Sequence, residues 1–137
     1  MLDGKRILVV DGDDQHLRTV THALQTAKAQ PVAVRTAEEA LRVLEEGEFD
    51  LLLTDLRLPQ MNGYELCKRL CADPRLSVIP IVATSVNPFI DSINIAICPN
   101  VVDFVRKPFR IEELIEVLLR VISGKPGIFN RLVRRRA

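Results

Sequence analysis

Three cysteines, two histidines and no C-x-x-C pair are spread over 137 residues. That is too little for a structural zinc, which takes four clustered sulfur or nitrogen ligands. Cys67 and Cys71 stand one helical turn apart and Cys98 stands alone, with only His16 and His22 to assist. Reduced, packed thiols are expected. No apolar run approaches the ~20 residues needed to cross a bilayer. The start MLDGKRILVV also lacks the long apolar stretch and cleavage site of a secretory signal. The expectation is a cytoplasmic protein with no membrane attachment. There is no glycine-rich phosphate loop of the G-x-G-x-x-G kind, no internal repeat and no low-complexity segment.

Acidic residues are missing from one end only. All eighteen lie before residue 124, whereas Lys125, Arg131, Arg134, Arg135 and Arg136 follow it. Fourteen bases against eighteen acids leave a mildly acidic body, residues 1–123, and a basic tail or linker, residues 124–137. The length suits one domain with a single core, and 47% apolar with 27% charged residues is ordinary for a soluble protein.

Within the body, apolar runs alternate with helix-period stretches. Residues 5–11, 31–36, 49–55, 79–85 and 101–107 read as strands. Residues 14–30 carry Leu17, Val20 and Leu24 on one helical face. Thr36-Ala-Glu-Glu39 is a capping box opening a helix that Gly47 stops. A third helix holds Leu66, Cys67, Leu70 and Cys71, and residues 110–123 form a closing one. The segment VNPFIDSINIAICPN reads as a short or loose helix. Strands apolar throughout and separated by helices predict a doubly wound five-stranded parallel α/β sheet covered on both faces. Five units in this length make an open sheet rather than a barrel.

In such sheets ligands bind beyond the carboxyl ends of the strands. Those ends carry Asp11-Gly12-Asp13-Asp14, Asp55, Thr84-Ser85 and Lys107-Pro108. Asp55 follows the apolar run Leu51-Leu52-Leu53 by only one residue, so it needs a cation or several donors to stay ionised. Lys107 and a metal ion are the expected partners. Two carboxylates about 4 Å apart repel by roughly 4 kcal/mol at an effective dielectric near 20, which a divalent ion relieves. Magnesium suits an all-oxygen site that keeps waters and takes a phosphate oxygen. A carboxylate beside such an ion can attack an activated phosphoryl donor, with Lys107 neutralising the transferring group and Ser85 donating to it.

The stretches ILVVD ending at Asp11, DLLLTDLRLPQMNG around Asp55, IPIVATS and FVRKPF together resemble the receiver domains of two-component response regulators, over residues 5 to 123. The resemblance implies a flavodoxin-like sheet of order 2-1-3-4-5. It makes Asp55 the phosphoacceptor for a histidine kinase or phosphotransfer protein. It further implies Asp11, Asp55 and the Arg57 backbone carbonyl as magnesium ligands, Ser85 and Lys107 as phosphoryl contacts, and Phe104 as the switch aromatic. Thr84 is a weaker candidate for the hydroxyl. A regulatory phosphoacceptor, catalysing only its own phosphotransfer and dephosphorylation, is therefore expected rather than an enzyme acting on other substrates. Gly12 departs from the family's usual second acid, which puts magnesium affinity in question and gives Asp13 or Asp14 a place as substitute ligand. Cys98-Pro99-Asn100 replaces a small-residue run before the fifth strand, so the fourth helix is expected to end early or shift.

The closing helix is apolar more widely than one buried stripe needs, so some of Val117, Leu119 and Val121 should be exposed. A homodimer through the fourth helix, fifth strand and fifth helix is one partner that would use such a surface. Three readings of the tail stay open: a link to a lost or separate output domain, a segment packing on the body or a partner, and a basic arm. Direct nucleic-acid binding is not the expected role, because three arginines read no sequence by themselves. Two rival functions remain. One is a receiver-like interaction module independent of phosphorylation. The other is a haloacid dehalogenase-like phosphohydrolase using Asp11 and Asp13 of VVDGDD.

Overall fold

The computed structural model describes residues 2–95 and 98–125, along which strands and helices alternate. In order they are β1 (Arg6–Val10), α1 (Asp14–Thr26), β2 (Gln30–Val34), α2 (Ala37–Glu46), β3 (Leu51–Asp55), α3 (Gly63–Ala72), β4 (Ile81–Ser85), α4 (Pro88–Asn94), β5 (Val101–Arg106) and α5 (Ile111–Ile122). The strands form one parallel sheet in the order β2-β1-β3-β4-β5. Alternate strand residues serve opposite layers. Leu8, Val10, Leu52 and Ile81 pack with Ala40 and Leu44 of α2 and Leu66 and Leu70 of α3. Ile7, Val9, Leu51, Leu53 and Val82 pack with Leu17, Val20 and Leu24 of α1 and Leu114 and Leu118 of α5. Covering both faces is why the middles of β1, β3 and β4 are continuous apolar runs, and each fully buried Leu or Ile contributes roughly 1.5–3 kcal/mol.

Side chains set the helix starts. Asp13 caps α1 by accepting the N–H groups of Gln15 and His16, Thr36 caps α2, and Asn62 caps α3. Asn87 followed by Pro88 opens α4 in the same way. Most boundaries fall within two residues of the sequence reading, and two of the shifts have a visible cause. The first helix stops at Thr26 rather than Gln30 because Lys28 turns to a φ of 67°, with its N–H bonded to Gln25 and that of Ala29 to Leu24. This closure normally uses glycine, so lysine gave no stop signal. β4 begins at Ile81, after Pro80, whose carbonyl accepts from Leu52. The irregular segment after β4 contains a short helix, as the sequence suggested, ending at Asn94 ahead of Cys98-Pro99-Asn100.

The exposed apolar surface also lies elsewhere than expected. Val117, Leu119 and Val121 of α5 are half-buried against the core, while Phe89, Ile90 and Ile93 of α4 are exposed, as is Val86 before it. A two-layer contact on α5 uses more of its circumference than a single stripe does. Gly124, with φ 78°, closes α5. The readings of the tail concern residues 126–137, which lie outside the described residues. No helix among the described residues is long and apolar enough to cross a membrane.

Candidate functional site

Parallel strands bring their carboxyl ends to one rim, and three of the residues singled out in the sequence meet there. Lys107, just past β5, places its ammonium 2.9 Å from Asp55 Oδ2 and 3.4 Å from Asp11 Oδ2. Asp11 and Asp55 are almost wholly buried, and this ammonium is the cation that Asp55, so close behind an apolar run, was expected to need. The backbone supplies further donors: Asp13 N–H to Asp11 Oδ1 at 2.9 Å and Arg57 N–H to Asp55 Oδ1 at 3.1 Å. A main-chain bond from Lys107 to Ser85 at 2.8 Å fixes the end of β5 beside that of β4.

The titration behaviour follows from these contacts. Burial pushes the Asp11 carboxyl up, but the Asp13 N–H, His16 and Lys107 outweigh it and hold the group below the usual carboxylate range. Burial pulls Lys107 down, yet the bonds and charges of Asp55 and Asp11 leave it above the ordinary lysine value.

The loop after β3 is built around close backbone approach. Gly63 opens α3 directly beneath Asp55: a Cβ there would stand 2.4 Å from the Asp55 carbonyl oxygen and 2.6 Å from Leu56 Cα. Pro59 covers Gly12, although a Cβ at Gly12 would meet nothing nearer than Pro59 Cδ at 3.5 Å. Gly12 is therefore not required by crowding.

Other candidates are placed differently. Asp13 Oδ1 is occupied as the cap of α1, and Asp14 pairs with Arg35 at 2.6 Å. That cap, and the Lys107 ammonium on Asp11, do not favour the hydrolase reading of Asp11 and Asp13. Ser85 is buried and donates to Asp91 Oδ2 in α4, while its oxygen accepts from Asn87 N–H at 3.0 Å. Thr84 is buried one residue earlier, in register with Asp55. Phe104 already lies inward in the core layer shared with α2 and α3.

Sequence reasoning missed two side chains. His16 Nδ1 bonds to Asp11 Oδ2, and the imidazole rests edge-on against Phe109 with centroids 5.2 Å apart. Asp91, 1% exposed, accepts from both Ser85 and Tyr64, with Arg57 Nη2 3.7 Å from it. The available signals were a histidine one turn into the helix after Asp11 and a lone acid within the apolar PFIDSIN.

The donor set decides whether a divalent ion suits the rim. Among the described residues no group of three or more His, Cys, Asp or Glu side chains is arranged around a common metal position. Two buried carboxylates beside the Arg57 backbone nevertheless make an all-oxygen set, and magnesium is ordinarily held by one or two carboxylates with several waters. The residues fit magnesium held mainly by water.

Residues 7–119 match the family described as "Response regulator receiver domain". The DNA-binding response regulator MtrA of Mycolicibacterium smegmatis is 33% identical over 81% of this chain and 47% of its own length. The two-component response regulator ORR22 of Oryza sativa is 30% identical over 90% of this chain and 18% of its own. This chain therefore spans half or less of those relatives. Among solved structures, the signal receiver domain of a Syntrophus aciditrophicus histidine kinase superposes with a TM-score of 0.80 at 29% identity, covering 88% of this chain and 92% of that one. The receiver domain of a Pseudomonas aeruginosa sensor histidine kinase, determined with magnesium coordinated in its active-site cleft, gives 0.79 at 26%, covering 88% and 98%. The sheet order and the match across the whole α/β body place this chain in the response regulator receiver domain family, the regulatory module of two-component systems.

Proposed function

We propose that Asp55 accepts a phosphoryl group from the phosphohistidine of a histidine kinase or phosphotransfer protein, and that the charge change is read by a partner. The observation that carries this reading is the Lys107 ammonium bridging Asp11 and Asp55 at the carboxyl rim of the sheet. A carboxylate oxygen of Asp55 forms the new P–O bond as the P–N bond to the donor imidazole breaks, and that imidazole keeps the electron pair and takes a proton. Lys107 neutralises charge on the transferring group, and the Arg57 N–H holds the acceptor carboxylate in place. Asp11, Asp55 and the Arg57 carbonyl would hold a magnesium ion, which supplies charge neutralisation on the phosphoryl oxygens when bound. Hydrolysis of the acyl phosphate by water restores Asp55 and releases inorganic phosphate. The chain itself catalyses these two steps and no reaction on an outside substrate.

Ser85 is the hydroxyl nearest in the sequence pattern to a phosphoryl contact, with Thr84 behind it, and Phe104 is the aromatic whose packing reports the switch. Residues 1–123 act as the receiver unit, in the cytoplasm, with residues 124–137 as a basic link or tail. The exposed apolar residues of α4 favour a partner surface on that helix, and a second copy of the chain is one occupant.

The test is mass spectrometry after incubation with acetyl phosphate and magnesium. A species heavier by about 80 Da that disappears in Asp55→Asn supports the reading. Its persistence in that variant, or its absence from the wild-type protein, overturns it.

A further inference from the structure

From the buried contacts of Asp91 we infer that this carboxylate in α4 is a latch on Ser85, holding the hydroxyl proton that a phosphoryl group on Asp55 must capture. The inference rests on Asp55 being the phosphoacceptor.

A serine hydroxyl has one proton to donate. Here it goes to Asp91 Oδ2, and the Ser85 oxygen accepts from Asn87 N–H at 3.0 Å. Tyr64 of α3 donates to the other carboxylate oxygen, and Arg57 Nη2 approaches that same oxygen to 3.7 Å. Asp91 is thus the node where β4, α3, α4 and the loop after Asp55 meet, at 1% exposure. The Tyr64 hydroxyl titrates above its ordinary range because of burial and its bond to Asp91, so it remains a donor.

Ser85 cannot donate to Asp91 and to a phosphoryl oxygen at once. Each arrangement therefore excludes the other, and the exclusion is reciprocal: whatever weakens the Ser85–Asp91 bond strengthens phosphoryl binding by the same factor. Releasing Ser85 removes the tether between the end of β4 and the middle of α4. That short helix carries the exposed Phe89, Ile90 and Ile93, so the loss of one internal hydrogen bond is transmitted to an apolar surface. Asp91 keeps Tyr64 and Arg57 after release, which spares it isolation as a buried charge.

Asp91 is a positioning residue, and it is tested on the full chain with beryllofluoride and magnesium as the phosphoryl probe, binding being read by heteronuclear NMR. Asp91→Asn keeps the shape but replaces a charged acceptor by a neutral one, so the probe should bind about tenfold tighter. In a Ser85→Ala background the same substitution should leave affinity unchanged, whereas a merely structural role would act whether or not Ser85 is present. Tyr64→Phe removes a competing donor and keeps the ring, so the carboxylate grips Ser85 harder and binding should weaken about two- to threefold. Equal or weaker binding by Asp91→Asn, or the same gain without the Ser85 hydroxyl, overturns the latch. If the wild-type protein binds no probe, the Asp55 reading fails instead. Urea unfolding of the unmodified variants then decides the latch: the loss caused by Ser85→Ala should largely vanish in the Asp91→Asn background, and an undiminished loss overturns it.

Discussion

Replacing Lys107 by methionine would keep most of its volume and remove the only ammonium within 3.4 Å of both rim carboxylates among the described residues. Both oxygens bond the same nitrogen, so they lie no more than about 6 Å apart, and two charges within that separation repel by about 3 kcal/mol or more at an effective dielectric near 20. His16 and the backbone N–H groups remain on the carboxylates, which reduces the penalty; a loss of about 1.5–3 kcal/mol near neutral pH is expected. The pH dependence gives the sharper discrimination. In the wild-type protein Asp11 has a lowered folded pKa, so its contribution is present above about pH 4 and is lost as pH falls through the folded value. Lys107, with a raised folded pKa, contributes below about pH 10.4 and its share is lost as pH rises through the folded value. In Lys107→Met the crowded carboxylates bind a proton more readily than in the unfolded chain. The variant should therefore gain stability relative to the wild type from pH 7.5 to pH 5, and added magnesium should restore part of the loss at pH 7.5. Urea unfolding followed by far-ultraviolet circular dichroism measures this. A variant within about 0.5 kcal/mol of wild type at pH 7.5, or one losing stability relative to it at pH 5, would refute the assignment of Lys107 as the counter-charge.

Gly63→Ala places a Cβ 2.4 Å from the Asp55 carbonyl oxygen; unfolding should show a loss of about 3 kcal/mol, with slower phosphorylation as the loop is displaced. Lys28→Gly relieves the strained φ of 67° at the end of α1, and the thermal midpoint should rise by the equivalent of about 0.5–1 kcal/mol. Burial, with the charges of Cys98 and Cys71, pushes the Cys67 thiol up to about 12. Alkylation at pH 8 followed by peptide mapping should therefore find the half-buried Cys71 modified first and Cys67 protected; early modification of Cys67 would contradict its burial.

The layered architecture was legible because strands buried on both faces must be apolar at every position, while Leu17, Val20 and Leu24 can form a stripe only on a helix. The rim was legible for the related reason that parallel strands all end on one side, so Asp11, Asp55 and Lys107 had to lie along one edge of the sheet. A local signal failed where a tertiary closure overrode it, at Lys28, where lysine adopts a glycine-like dihedral.

What the sequence determined by itself was the layered α/β class and the charges at the strand ends, since both follow from periodicity and chain direction; the strand order came only with the family resemblance. Only the tertiary structure decided which side chains those charges meet. His16 on Asp11 and Asp91 on Ser85 depend on helix placement to within a hydrogen-bond length. Spacing along a chain does not specify that distance, because a small shift of a helix exchanges one partner for another.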